Sequence, residues 1–225
     1  MFKSFSDITN LVFPKVCPGC NRPLVKEEEE LCIHCLVDLP IRLHLKSNEL
    51  MQRFYGRVPL TEAHAFLFFK RKGITQKLLH EIKYNGNQKL AIDLGKTFGE
   101  NCVKERLFQS IDLIIPVPLH KSKYRLRGYN QSELIAMGMA DKLGAELDTA
   151  AVVRSVKTST QTKKSRSERW KNVSEIFKAN TNRLKGRHVL VVDDVVTTGA
   201  TLESCAQSIL DAGALDVSIA CLALA

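Results

Sequence analysis

Residues Val189 to Thr201, VLVVDDVVTTGAT, join an apolar run to two adjacent carboxylates, a short polar loop and the opening of a helix. Thr197, Thr198, Gly199, Ala200 and Thr201 offer consecutive backbone N–H groups and three hydroxyls at a helix N-terminus, where the macrodipole also favours an anion. A phosphate monoester suits this cradle, with Gly199 allowing close approach of the backbone. The stretch lacks the Gly-Lys-Ser/Thr signature, which argues against a P-loop. Asp193 and Asp194, just upstream, then reach hydroxyls on a sugar attached to that phosphate. Two acids at a strand end also have a plainer use, as caps for the helix that follows.

A different chemistry stands at the N-terminus. Cys17, Cys20, Cys32 and Cys35 are spaced C-x2-C-x11-C-x2-C, which suits tetrahedral zinc on two short knuckles. Local disulfides are disfavoured by the odd total of seven cysteines and the lack of an export signal. A redox CxxC is disfavoured because the segment has no βαβ context. His34 sits inside the second knuckle and reads as a surface or supporting group. Closed coordination by four thiolates leaves no open position for substrate, so the expected role of the metal is structural. Cys102, Cys205 and Cys221 fall in helical or strand segments and read as packing residues.

Two basic segments lie between these sites. Ile114 to Glu133 runs from a strand end into Lys121, Lys123, Arg125 and Arg127, then Gly128, Asn130 and Gln131. It reads as a basic loop forming a second anion site, or as a solvated turn before a helix capped by Asn130. Arg154 to Asn172 carries seven basic residues and one acid among many Ser and Thr, and reads as a mobile segment.

The elements that must position these residues follow from periodicity. Ala63–Phe69 and Asp112–Leu119 read as strands, and Gly73–Tyr84 and Gln88–Val103 as amphipathic helices about the turn Asn85, Gly86, Asn87. A helix over about Asn130–Leu143, a strand near Ala151–Val156, a strand His188–Val195, a helix Thr198–Ala212 and a last strand complete the alternation. The fold class is therefore α/β, a mainly parallel sheet flanked by helices, with a small N-terminal zinc-knuckle module. Ligands in such sheets bind beyond the carboxyl ends of the strands, which points to residues 116–129 and 193–201. A linker over Ser47–Pro59 divides the chain into residues 1–57, the zinc-binding module, and 58–225, the α/β domain. The acidic run Glu27–Glu30 is expected on an exposed turn.

The chain of 225 residues is 44% apolar with a net charge of +9, and its larger region carries the excess, 25 Lys or Arg against 17 acids. That excess favours anionic partners, whether phosphates on a small molecule or a nucleic-acid backbone. No signal peptide is visible and no apolar run approaches the ~20 residues of a membrane span. The expectation is a soluble, cytoplasmic protein without membrane insertion.

The Val189–Thr201 stretch resembles the 5-phosphoribosyl 1-pyrophosphate (PRPP) motif of type I phosphoribosyltransferases. The resemblance implies that Asp193 and Asp194 hold the ribose 2- and 3-hydroxyls, and that Thr197, Thr198, Gly199, Ala200 and Thr201 wrap the 5-phosphate. It implies a pyrophosphate loop at Pro118, Leu119, Lys121, Arg125 and Arg127. It also implies a loop that closes over the substrate, for which Gln161, Lys163, Arg166 and Arg169 are candidates. Threonine at 197 stands where some members carry an aspartate that assists the base, so no acid–base residue is assigned. Mg2+ bound with PRPP, together with basic side chains, is expected to stabilise the departing pyrophosphate.

The knuckles, DLIIPVPLHKSKYRLRGYNQSELIA, QTKKSRSERWKNVSEIFKA and VLVVDDVVTTGATLESCAQSILDAGA together resemble the ComF family of competence proteins over nearly the whole chain. This implies handling of transforming DNA and association with other competence proteins. Two functions are thus expected: transfer of phosphoribosyl from PRPP to an acceptor, or binding of single-stranded DNA by the same scaffold. For the second, Tyr124, Tyr129 and Trp170 are the possible stacking surfaces among basic residues.

Overall fold

The computed structural model describes residues 14–42, 49–154 and 176–225. Five strands form one parallel sheet in the order β1-β7-β6-β2-β3, built from β1 (Ala63–Phe68), β2 (Leu113–Pro116), β3 (Glu146–Leu147), β6 (His188–Val196) and β7 (Asp216–Leu224). A separate antiparallel pair, β4 (Val152–Arg154) with β5 (Phe177–Ala179), stands beside it. The helices are α1 (Ile33–Val37), α2 (Glu49–Gln52), α3 (Ile74–Tyr84), α4 (Gln88–Lys104), α5 (Lys121–Arg127), α6 (Gln131–Leu143), α7 (Thr181–Leu184) and α8 (Ala200–Asp211).

Strand residues alternate between two cores, as a period of two requires. Ile114, Leu190, Val192, Ala220 and Leu222 face the core formed with α3, α4 and α6. Leu113, Ile115, Val189, Val191 and Ile219 face the opposite core, with Leu202, Cys205 and Ile209 of α8. Both faces are covered, which is why β6 reads as an unbroken apolar run. Cys102, Cys205 and Cys221 are all buried in these cores.

Helices α4 and α6 cross at close range through glycine. A Cβ at Gly95 would lie 2.3 Å from the Ile135 carbonyl oxygen, and one at Gly138 would lie 2.2 Å from that of Ile92.

Three segments depart from the sequence expectations. The basic stretch after β2 is helical over Lys121–Arg127, with His120 as N-cap and Gly128 closing it at φ 80°. Lys, Arg and Tyr tolerate a helix well, and the glycine that marked a loop is the C-terminal stop. The segment read as a linker contains α2 and buries Leu50, Phe54 and Val58 in the second core. In the acidic run, Glu30 is buried and paired with Lys15 at 2.6 Å, while Asn87 donates to its other oxygen at 3.0 Å.

The cysteine module packs on the first core. Cys17, Leu31, Cys32, Cys35 and Leu39 join Phe66 and Leu78 there, and Ile41 bridges Leu67 of β1.

Candidate functional site

Strand β6 carries Asp193 and Asp194 to the carboxyl end of the sheet, where its pairing with β2 has stopped at Val192. Asp193 is half-buried and Asp194 buried. Asp193 Oδ1 accepts from Ser132 Oγ at 2.8 Å and from the Asp194 N–H at 2.9 Å. Ser132 stands in the first turn of α6, whose Asn130 cap accepts from the Ser132 N–H and donates to the Val117 carbonyl at 3.0 Å. One capping residue thus fixes α6 on the end of β2 and aims Ser132 at the carboxylate.

Asp194 Oδ2 lies 2.8 Å from Lys83 Nζ, at an angle that makes an ion pair without a hydrogen bond. Burial, and next the neighbouring Asp194 charge, push the Asp193 carboxyl up to about 7; the Ser132 hydroxyl, the Asp194 amide and Lys83 pull the other way. The Asp193 carboxyl is therefore poised to gain or lose its proton near neutral pH.

Beyond Val196 the chain turns through Thr197, Thr198 and Gly199 into α8, and a hollow lined by Asp193 and residues 195–202 opens there. Thr197, Thr198, Ala200 and Thr201 are exposed, and the N-cap, Gly199, contributes no side-chain cap. The Ala200 N–H donates to Thr198 Oγ1 at 3.5 Å, the outer limit of a hydrogen bond, and a helix start of this kind favours an anion. Gly199 adopts φ 79°, and an added Cβ would meet the Phe54 ring at 3.0 Å. The side of Gly199 where a Cβ would stand faces Phe54, and its left-handed φ shapes the turn into α8.

The pyrophosphate candidates separate into two groups. Pro118 and Leu119, half-buried, follow the end of β2 beside β6. Lys121 and Arg125 are exposed on α5, whereas Arg127 donates to Gln131 Oε1 at 2.7 Å and lies over the Tyr84 ring at 5.5 Å. Tyr124 is exposed, but Tyr129 is buried and its hydroxyl donates to the Ile82 carbonyl, so Tyr129 is withdrawn as a stacking surface. Gln161, Lys163, Arg166, Arg169 and Trp170 lie outside the described residues.

Sequence reasoning missed Lys83, Arg53, Arg57 and Ser132. Lys83 follows the buried Ile82 on α3, a signal too common to single it out. The two arginines sat in the segment read as a linker.

The four knuckle thiols lie within 4.8 Å of one another, with Cys20 Sγ 3.6 Å from Cys32 Sγ. Tetrahedral Zn–S bonds of ~2.3 Å place sulfurs about 3.8 Å apart, so the cluster could hold a metal such as zinc. Burial raises the Cys17 thiol, but the amides of Cys32, Cys20 and Gly19 outweigh it and bring it down to about 7. Cys35 is pushed well up by burial and by the other three thiols. Four thiolates need a cation at their centre. His34 is exposed outside this set.

Residues 130–225 match the model of the phosphoribosyl transferase domain family. The DNA utilization protein YhgH of Shigella flexneri is 34% identical over 64% of this chain and 65% of its own length. Competence protein ComFC of Bacillus subtilis is 24% identical over 88% of this chain and 79% of that one, and competence protein F of Haemophilus influenzae is 33% identical over 48% of each. These matches make the chain similar to ComF-type competence proteins and, over residues 130–225, to phosphoribosyl transferase domains. The chain spans 65% of the length of the YhgH relative it matches. Lys83, Arg53, Arg57 and the four cysteines all precede the matched domain, so the groups that contact Asp194 and the Thr197–Gly199 turn come partly from outside it. Among the described residues, no helix is long and apolar enough to cross a membrane.

Proposed function

We propose that this chain binds PRPP or another phosphorylated ribose at the Thr197–Thr201 nest and transfers phosphoribosyl to an acceptor, in a cytoplasmic role in DNA uptake. The observation that carries the reading is the juxtaposition of the exposed Thr197–Thr201 turn at the start of α8, whose N-cap is a glycine, with Asp193 and Asp194 at the end of β6. A phosphate on the nest leaves an attached ribose over the two carboxylates, which accept hydrogen bonds from its hydroxyls. The ionised carboxylates also offer the oxygen donors that Mg2+ takes. Bound with PRPP, Mg2+ would supply charge neutralisation on the pyrophosphate. Pro118, Leu119, Lys121 and Arg125 lie on the side where that group would leave. The cysteine module, stabilised by zinc, precedes a phosphoribosyltransferase-like domain that includes the segment carrying Leu50, Phe54 and Val58.

The test is isothermal titration of the full chain with PRPP and Mg2+, followed by a screen for pyrophosphate release across nucleobases and oligonucleotides. The expected result is saturable binding that the Asp193→Ala, Asp194→Ala double variant loses. Affinity that survives the double substitution would overturn the site.

A second reading, single-stranded DNA binding, has its own support: α5 sets exposed Tyr124 between Lys123 and Arg125, and relatives carry names of DNA utilization and competence. Basic residues with one stacking ring suit a phosphodiester strand. Binding that is flat with salt would exclude this reading.

A further inference from the structure

The phosphate loop is held from behind by the segment preceding β1. Arg53 donates through Nη1 to the Thr197 carbonyl and through Nη2 to the Ala225 carbonyl at 2.9 Å. Arg57 Nη1 donates at 2.9 Å to the Thr198 carbonyl and at 2.9 Å to the Arg53 carbonyl. Its Nη2 pairs with Glu203 in the first turn of α8. Phe54, between them in sequence, is 1% exposed and lies under Gly199.

A trans peptide is planar, so its C=O and N–H point in opposite directions. The Thr197 carbonyl shares its plane with the Thr198 N–H, and the Thr198 carbonyl with the Gly199 N–H. Turning both carbonyls toward the arginines therefore turns both N–H groups the other way, into the nest. Without those contacts the two planes rotate about soft φ and ψ, and binding must then order them at an entropic cost. We infer that Arg53, Phe54 and Arg57 form a brace that aims the loop amides, making the two arginines positioning residues of the anion site. The inference rests on the phosphate reading proposed above.

A guanidinium also attracts an anion through space, so charge and aim must be separated. Lysine keeps the charge but loses the planar two-pronged donor. The experiment uses the full chain with ribose 5-phosphate as the probe. Wild type is compared with the Arg53→Gln, Arg57→Gln and Arg53→Lys, Arg57→Lys double variants by titration calorimetry. Exchange of the Thr198 and Gly199 amides is followed in the ligand-free proteins. The brace predicts a loss of about tenfold in affinity in both doubles. It also predicts faster exchange of those two amides, with Ile114 and Ile115 in the core strand unchanged. Affinity within about twofold of wild type in both doubles, or unchanged exchange, overturns the brace. A lysine double that binds like wild type while the glutamine double does not assigns the effect to charge and overturns positioning. If wild type binds no ribose 5-phosphate, the phosphate reading itself fails and takes the brace with it. Should a double variant fail to fold, the single lysine variants give the same comparison.

Discussion

The Lys83 ammonium lies 2.8 Å from Asp194 Oδ2, a buried oxygen that has no hydrogen-bond partner among the described residues. A carboxylate in that state costs several kcal/mol unless charge compensates it. Lys83 supplies the charge from α3, an element on the far side of β2 in sequence, and so ties the first half of the chain to the site in the second.

Replacing Lys83 by Met removes that compensation. Breaking a buried pair costs about 3–5 kcal/mol, but Lys83 is partly solvated, so the expected loss is about 1–3 kcal/mol. The Lys83→Met, Asp194→Asn double should recover much of it, because the stranded charge is then gone. Urea denaturation of the four proteins of the cycle gives the coupling. A value near zero would make the pair a surface contact.

The α4–α6 crossing makes a second prediction. Ala at Gly138 would push a Cβ to 2.2 Å from the Ile92 oxygen and 2.7 Å from the Lys96 nitrogen, and both are backbone atoms that cannot rotate away. Ala gains about 1 kcal/mol in helix propensity over Gly, yet overpacking should leave the variant about 1–3 kcal/mol less stable. Because α6 carries Ser132, its displacement should also weaken binding of ribose 5-phosphate. Thermal unfolding and titration check the two effects, and a stabilised variant would contradict the crossing.

How far the sequence could be read depended on whether a signal was local. The apolar run of β6, the Gly199 turn and the four cysteines each announce themselves within fewer than twenty residues. The α3 and α4 helices followed from apolar spacing. Arg53 and Arg57 could not be read this way, because their partners are carbonyls of Thr197 and Thr198, and a carbonyl acceptor leaves no mark on sequence. Phe54 and Leu50 were set aside as linker because α2 has only four residues, too few to show a period. The α5 helix was lost to charge: Lys121 to Arg127 has no buried residue, so no apolar stripe marks it.

Gly19 tests the candidate metal site without replacing any of the four cysteines. A Cβ there would lie 2.6 Å from Cys35 Sγ and 3.2 Å from the Ile74 side chain. Gly19→Ala should therefore displace one thiol and lower the metal-to-protein ratio, as Cys35→Ser does directly. Both should destabilise the chain, since metal affinity is folding free energy in such knuckles. Elemental analysis with thermal unfolding, with and without a chelator, measures this. A full metal content in Gly19→Ala would place the ligands elsewhere.

Asp193 makes stability depend on pH in an unusual direction. Its folded pKa of about 7 lies above the ordinary 3.8, first because of burial and then because of the Asp194 charge. A raised carboxyl means that the folded state binds the proton more tightly than the unfolded state. Its contribution is then fully present below about pH 4 and is lost as pH rises toward 7. Asn at 193 mimics the protonated form and keeps an oxygen to accept from Ser132 Oγ. Asp193→Asn should thus differ little from wild type near pH 4, gain on it steadily up to about pH 7, and level off above. Urea denaturation of both proteins across that range measures the difference directly, and a difference constant with pH would mean that Asp193 is not the titrating group. Ser132→Ala supplies the converse: losing the donor that favours the charged form should move the same window to higher pH.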